Sequence, residues 1–241
     1  MTALCSPPAS ATSRTVWWQV LRSLPGETWR EVRAHPWALL GTLVLGLAAA
    51  SVLIPVEQSW QAAHAVAQPG TVLHILAEYA SWWGKLENGV GLILLGWLAV
   101  DLSGRRACGQ RTVITVLWAQ LVAGVLVNLA KVGFGRPRPR YEAPDGFFGP
   151  SLDYAFQSFP SGHTTAAFAL AATLGTFFPR GLPLFLLYAG LVGWSRVALY
   201  VHHPSDVVMG AALGCACGVL CARAGRRASA QLAATLPARP S

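Results

Sequence analysis

The sequence predicts an all-α fold: a polytopic membrane protein with six transmembrane helices, both termini cytoplasmic, plus interfacial helices. Three observations carry that expectation. Of 241 residues, 54% are hydrophobic and only 12% are charged, against roughly 25% charged in a soluble domain. The mean hydropathy is +0.45, and the apolar residues gather into runs long enough to cross a bilayer core. The basic residues lie in short loops between those runs, as orientation signals do. The net charge of +8 is read in that way, and nucleic acid is not expected as a partner.

In chain order, residues 1–36 are polar and rich in Ser, Pro and Arg. They are expected to be a cytoplasmic segment with a short amphipathic stretch over Val16–Leu24. The first span is Trp37–Val56, too long for a cleaved signal segment and therefore read as a retained anchor. Between 57 and 86, Trp60, Tyr79, Trp82 and Trp83 give an aromatic density suited to helices at the water–lipid boundary. The second span opens near Ala80 and takes in the short apolar run Asn88–Val100. Thr112–Ala130 is the third, His163–Phe178 the fourth, Leu182–Tyr200 the fifth and Val207–Ala222 the sixth. The loop Val132–Phe159 is rich in proline and is expected to be rigid rather than helical. Residues 37–223 then form one membrane domain, and 224–241 a basic cytoplasmic tail.

Charge decides the orientation. Arg14, Arg22, Arg30, Arg33, Arg105, Arg106, Arg111, Arg180, Arg223, Arg226, Arg227 and Arg239 fall on the side of the termini, 12 of the 18 basic residues. That bias makes the termini cytoplasmic. It places three polar islands together at the outer face: KVGFGRPRPR from Lys131 to Arg140, PSGH from Pro160 to His163, and SRVALYVHHPSD from Ser195 to Asp206. Charged groups beside long apolar runs are costly and mark functional sites or interfacial anchors. The five cysteines show no disulfide or zinc spacing, and Cys215, Cys217 and Cys221 read as small packing residues of the last span.

The islands suit a phosphate. Lys131, Arg138 and Arg196 supply cations, with the arginine forks gripping two oxygens each. Ser161 is placed as the N-cap of a helix, Gly162 allows close backbone approach, and the free amides of the first turn face an anion. Two histidines can divide nucleophilic attack and proton donation. Asp206, four residues after His202, would fix one ring nitrogen and leave the other to attack phosphorus, while His163 protonates the departing oxygen. Arg136, Arg140 and Lys85 read more readily as interfacial anchors than as ligands. His163, His202, His203 and Asp206 are not expected to hold a metal, since the converging cations would repel a dication.

The order Lys-x6-Arg-Pro, Pro-Ser-Gly-His and Ser-Arg-x5-His-x3-Asp resembles the type 2 phosphatidic acid phosphatase and vanadium haloperoxidase superfamily. Here the positions are Lys131, Arg138 and Pro139; Pro160 to His163; and Ser195, Arg196, His202 and Asp206. The motifs occupy only Lys131 to Asp206, and every position is matched. The resemblance implies a six-helix membrane fold and a phosphohistidine on His202. It also implies a proton from His163, and phosphate binding by Lys131, Arg138, Ser161, Gly162, His163 and Arg196, with no metal and no other cofactor. The expected activity is a membrane lipid phosphatase of a bacterial inner membrane, with its site facing the periplasm. Undecaprenyl diphosphate, phosphatidylglycerol phosphate, phosphatidic acid and lipid A phosphate are the substrates the resemblance suggests. A lipid-to-lipid phosphotransferase is the alternative within the same chemistry. A non-catalytic lipid-phosphate binder or transporter is the alternative outside it, and would need the cations but not His202, His163 and Asp206.

Overall fold

The computed structural model describes residues 13–63, 68–85, 91, 93–96, 98, 106–141 and 143–235. Among the described residues seven helices have defined bounds: α1 (Ser13–Ala34), α2 (Pro36–Ala63), α3 (Val72–Trp83), α4 (Arg106–Phe134), α5 (Gly162–Phe177), α6 (Leu182–Ala198) and α7 (Pro204–Thr235). Four stretches among the described residues are long and apolar enough to cross a membrane: Pro36–Glu57, Gly109–Phe134, Pro179–Ala198 and Pro204–Ala234. Of the second expected span, residues 86–90, 92, 97, 99 and 100 lie outside the described residues. The fourth is present as α5, but at 16 residues it reaches only about 24 Å.

α5 is the axis of the bundle. Its sequence, GHTTAAFALAATLGTF, is small and apolar on nearly every side, and nine of its residues are buried. Its threonines turn their hydroxyls back to carbonyls of the same helix, as Thr165 does to Ser161 O at 2.8 Å and Thr173 to Ala169 O at 2.7 Å. α7 packs against it through Gly210, Gly214 and Gly218, one glycine every four residues. A Cβ at Gly210 would come within 2.7 Å of Ser161 O, and one at Gly218 within 2.6 Å of Ala169 O. Small residues at this spacing let two backbones approach closely where apolar burial gives no drive to associate. Cys217 and Cys221 are buried beside them as small packers. The close approach sets the start of α7 against the start of α5.

The end of the bundle at α1 differs from expectation in its helix lengths. The amphipathic stretch at Val16–Leu24 belongs to the 22-residue α1, whose Val20 and Leu24 are buried with Ala228 of α7. α7 itself continues past Ala222 to Thr235. Hydropathy reports where lipid contact ends, whereas a helix continues while its apolar face still has something to cover. Arg227 Nε lies 2.5 Å from the buried Glu31 carboxylate, and Gln231 donates to Glu27 at 3.2 Å.

At the opposite end, the loop after α4 is non-helical apart from one short turn at Tyr154–Phe156, as its prolines lead one to expect. Gly135 turns the chain at φ +58°, and a Cβ there would collide with the Gly149 carbonyl. The loop then folds back on itself, with Arg138 N donating to Ala155 O and Ser158 N to Arg136 O, each at 2.9 Å. Phe134, Phe147 and Phe159 close it from behind, edge to face, with ring centroids 5.1–5.8 Å apart.

Candidate active site

Among the described residues, the ends of α2, α3, α4 and α6 and the starts of α5 and α7 meet here. Lys131 stands in the last turn of α4 and donates to Gln157 O at 2.6 Å. Gly162 faces it, and a Cβ at that position would lie 3.4 Å from Lys131 Cε. Arg138 is 5% exposed, with its guanidinium 3.9 Å from the Tyr154 ring centre and its Nε donating to Tyr154 O at 3.1 Å. Its Nη1 points on to His202, 3.4 Å from Nε2. Arg196, in the last turn of α6, donates to Ser81 Oγ of α3, while its buried Nε has no partner among the described residues. That donor is available to an anion. His163 is half-buried in the first turn of α5, within electrostatic reach of Arg196, Lys131, Arg138 and Lys85. The three islands read from the sequence therefore converge.

His202 is held by its neighbours on both sides. Its backbone N donates to Arg196 O at 3.2 Å, which ties the loop to the end of α6. Its Nδ1 lies 3.3 Å from Asp206 Oδ2, so the Nδ1–H tautomer is favoured and Nε2 keeps its lone pair towards Arg138. Burial holds the ring's pKa well below the usual histidine range, against the opposing pull of Asp206. Burial thus favours the neutral ring.

Asp206 is saturated. Its Oδ2 also accepts from Ser158 Oγ at 2.5 Å and from His203 N at 2.9 Å, while Oδ1 accepts from Arg136 Nη1 at 2.9 Å. Arg136 corrects the sequence reading. It is not an interfacial anchor but a fully buried side chain bonded to Glu57, Asp145, Asp206 and Ser205. Burial alone would lower its pKa, but the three carboxylates outweigh that and the net shift is upward. Arg140 is exposed, near the rings of Tyr141 and Tyr154. Ser161 is the N-cap of α5 by backbone conformation, but its side chain makes no capping bond. Instead its Oγ accepts from Thr164 Oγ1 at 3.0 Å, and its N donates to Asp206 O at 2.9 Å. Ser195 bonds back to Val192 O at 2.6 Å, a local role.

Sequence reasoning missed Ser158, Ser205 and Glu57. Glu57 gave a usable signal, being a lone carboxylate at the end of an apolar span. The two serines gave none.

Comparison with known proteins covers the same region. A family model described as the PAP2 superfamily matches residues 112–229. The chain is 41% identical over 95 residues to a lipid A 1-phosphatase of Rhizobium etli, covering 38% of this chain and 41% of that protein. It is 34% identical over 129 residues to a decaprenylphosphoryl-5-phosphoribose phosphatase of Mycobacterium tuberculosis, covering 52% of this chain and 70% of that protein. The chain thus spans about two-fifths of the first of these relatives and over two-thirds of the second. Its fold is shared with the crystal structure of a transmembrane PAP2-type phosphatidylglycerolphosphate phosphatase from Bacillus subtilis. The TM-score is 0.57 at 23% identity, over 77% of this chain and 93% of that one.

Proposed function

This chain belongs to the PAP2 superfamily, and on that premise we propose that it is a membrane lipid phosphatase working through a phosphohistidine on His202. The observation that carries the reading is the aim of the two imidazole nitrogens, Nδ1 at Asp206 and Nε2 at Arg138. A phosphate gripped by Arg138, Lys131, Arg196 and the first-turn amides at Ser161–Gly162 would present phosphorus to Nε2. Attack forms the P–N bond and breaks the P–O bond to the lipid, whose oxygen takes its proton from His163. Water then attacks phosphorus, gives a proton to His163, and the P–N bond breaks to release phosphate. Charge gathering on the equatorial oxygens meets three cations already in place, which is most of what phosphoryl transfer requires.

The topology proposed with this mechanism has six spans, with cytoplasmic termini and the site at the outer face of a bacterial inner membrane. It is supported by the arginine bias and by the gathering of helix ends around the site, opposite the α1–α7 contact. Residues 37–223 would be the catalytic domain, between a cytoplasmic segment and a basic tail. The proposed substrates are lipid phosphates or diphosphates: undecaprenyl diphosphate, phosphatidylglycerol phosphate, phosphatidic acid or lipid A phosphate. The test is phosphate release by the purified protein from these four lipids, with and without EDTA. Release from at least one, unchanged by chelation, is expected. No release from any, or a loss restored by one metal, would overturn the mechanism.

A further inference from the structure

The end of α2 reaches the reaction centre although it lies outside the three motif islands and outside residues 112–229. Glu57 is 1% exposed, and both its oxygens are engaged. Oε2 accepts from Ser205 N at 3.0 Å, one of the amides that the start of α7 leaves without a helical acceptor. Oε1 accepts from Ser205 Oγ at 2.9 Å and from Arg136 Nη2. Arg136 Nη1 in turn donates to Ser205 Oγ at 2.6 Å and to Asp206 Oδ1 at 2.9 Å. The bonds form a closed ring, Glu57–Arg136–Ser205, with Asp206 attached to it through Oδ1. Because that oxygen is committed to Arg136, Oδ2 is the one left to accept from Ser158, His203 N and His202.

We propose that Glu57 is a positioning residue for phosphoryl transfer, acting through Arg136 and Ser205 to hold the Asp206 carboxylate in the orientation that orients His202. The proposal rests on His202 being the nucleophile. Arg136 is one cation among three carboxylates, since Asp145 also holds its Nε and Nη2 at 3.1–3.2 Å. With Glu57 uncharged, Arg136 would draw more strongly on Asp206, and Asp206 would draw less on the Nδ1 proton of His202. Nε2 would become a poorer nucleophile. Lys131, Arg138 and Arg196 have no bond to Glu57, so substrate capture would be spared.

The experiment uses the full-length protein in detergent with a lipid phosphate that it hydrolyses. Glu57→Gln should lower kcat and the rate of phosphoenzyme formation together, by roughly tenfold to a hundredfold, as loss of an orienting partner does, with KM unchanged. Glu57→Asp, which keeps the charge, should recover part of the loss. Ser205→Ala breaks the ring while leaving the charges paired, and should lower kcat several-fold less. Arg227→Ala, which releases the Glu31 clamp at the other end of the bundle, should lower thermal stability and leave kcat unchanged. Wild-type kcat in folded Glu57→Gln and Ser205→Ala would overturn the proposal, as would failure of both to fold, because Glu57 would then only staple α2 to the bundle. His202→Ala separates the two readings: if that variant still turns over, the nucleophile is wrong, and if only Glu57 proves silent, the nucleophile stands.

Discussion

The two ends of the bundle both bury charge, and they do so differently. At the end that the proposed topology places inside, Glu27 and Glu31 of α1 meet Arg30, Arg227 and Gln231, and Trp118 Nε1 donates to Thr28 Oγ1 at 2.9 Å. Each of the two carboxylates has an arginine partner, and the cluster ties α1 to α4 and α7. At the opposite end, the outer one in the proposed topology, the groups divide into two sets. Arg136 is surrounded by Glu57, Asp145 and Asp206. Lys131, Arg138 and Arg196 instead find backbone carbonyls, a serine hydroxyl and the His202 ring. Balanced charge holds helices together, whereas unmatched charge kept in place by neutral partners is available to a ligand. An unmatched cation cluster would be a stability cost with no return unless an anion visits it.

The largest test of that distinction is His202→Ala. If the outer cluster is a reaction centre and not another staple, turnover should fall by about 10⁴-fold or more while the protein still folds and inserts. Phosphate release measured on purified, monodisperse variant decides it. Near-normal activity would reduce the outer cluster to a binding site.

His163→Ala comes next, because it asks which step the outer cluster serves. If His163 delivers a proton, a substrate with a poor alkoxide leaving group should lose roughly 10²–10⁴-fold. A nitrophenyl phosphate, whose leaving group needs little protonation, should lose far less. Comparing the two rates on one preparation removes any effect of lower stability. Equal losses would make His163 a phosphate ligand only.

What could be read in advance follows the same division. That Lys131, Arg138, His163, Arg196, His202 and Asp206 come together was legible because the proposed chemistry sets their type and spacing and all lie within one stretch of chain. The partners that hold them were not. Glu57 meets Ser205 across 148 residues and Arg136 across 79, a separation at which sequence carries no register. Arg136 was misread because a cation near a span boundary is by default an anchor, and only three carboxylates from three segments make it a hub. The glycines at 210, 214 and 218 did carry a readable four-residue period. The lengths of α1 and α7 did not, because their inner ends are covered by each other and not by lipid.

The smallest effect, and the sharpest comparison, sets Arg138→Ala against Arg227→Ala. Arg138 lies against Tyr154, and its one good hydrogen bond, at 3.1 Å, goes to a backbone carbonyl of a loop. Losing that bond is offset by relief of a buried charge that has no carboxylate partner among the described residues, so stability should change little, but the substitution strips the phosphate of the guanidinium beside Nε2. The loss in kcat/KM should be on the order of 10²–10³-fold, as for a single oxyanion donor. Arg227 has the opposite profile. Its removal leaves the Glu31 carboxylate, 1% exposed, without its partner. The cost should be about 1–3 kcal/mol, towards the lower part because the arginine is itself half-exposed. Thermal unfolding and turnover per folded molecule, measured on both variants, should therefore separate cleanly. Arg138→Ala should keep its midpoint and lose rate, and Arg227→Ala should lose midpoint and keep its rate. If both variants moved the same quantity, the two ends would not differ in kind. Unmatched charge at the outer end would then be no guide to where the ligand goes.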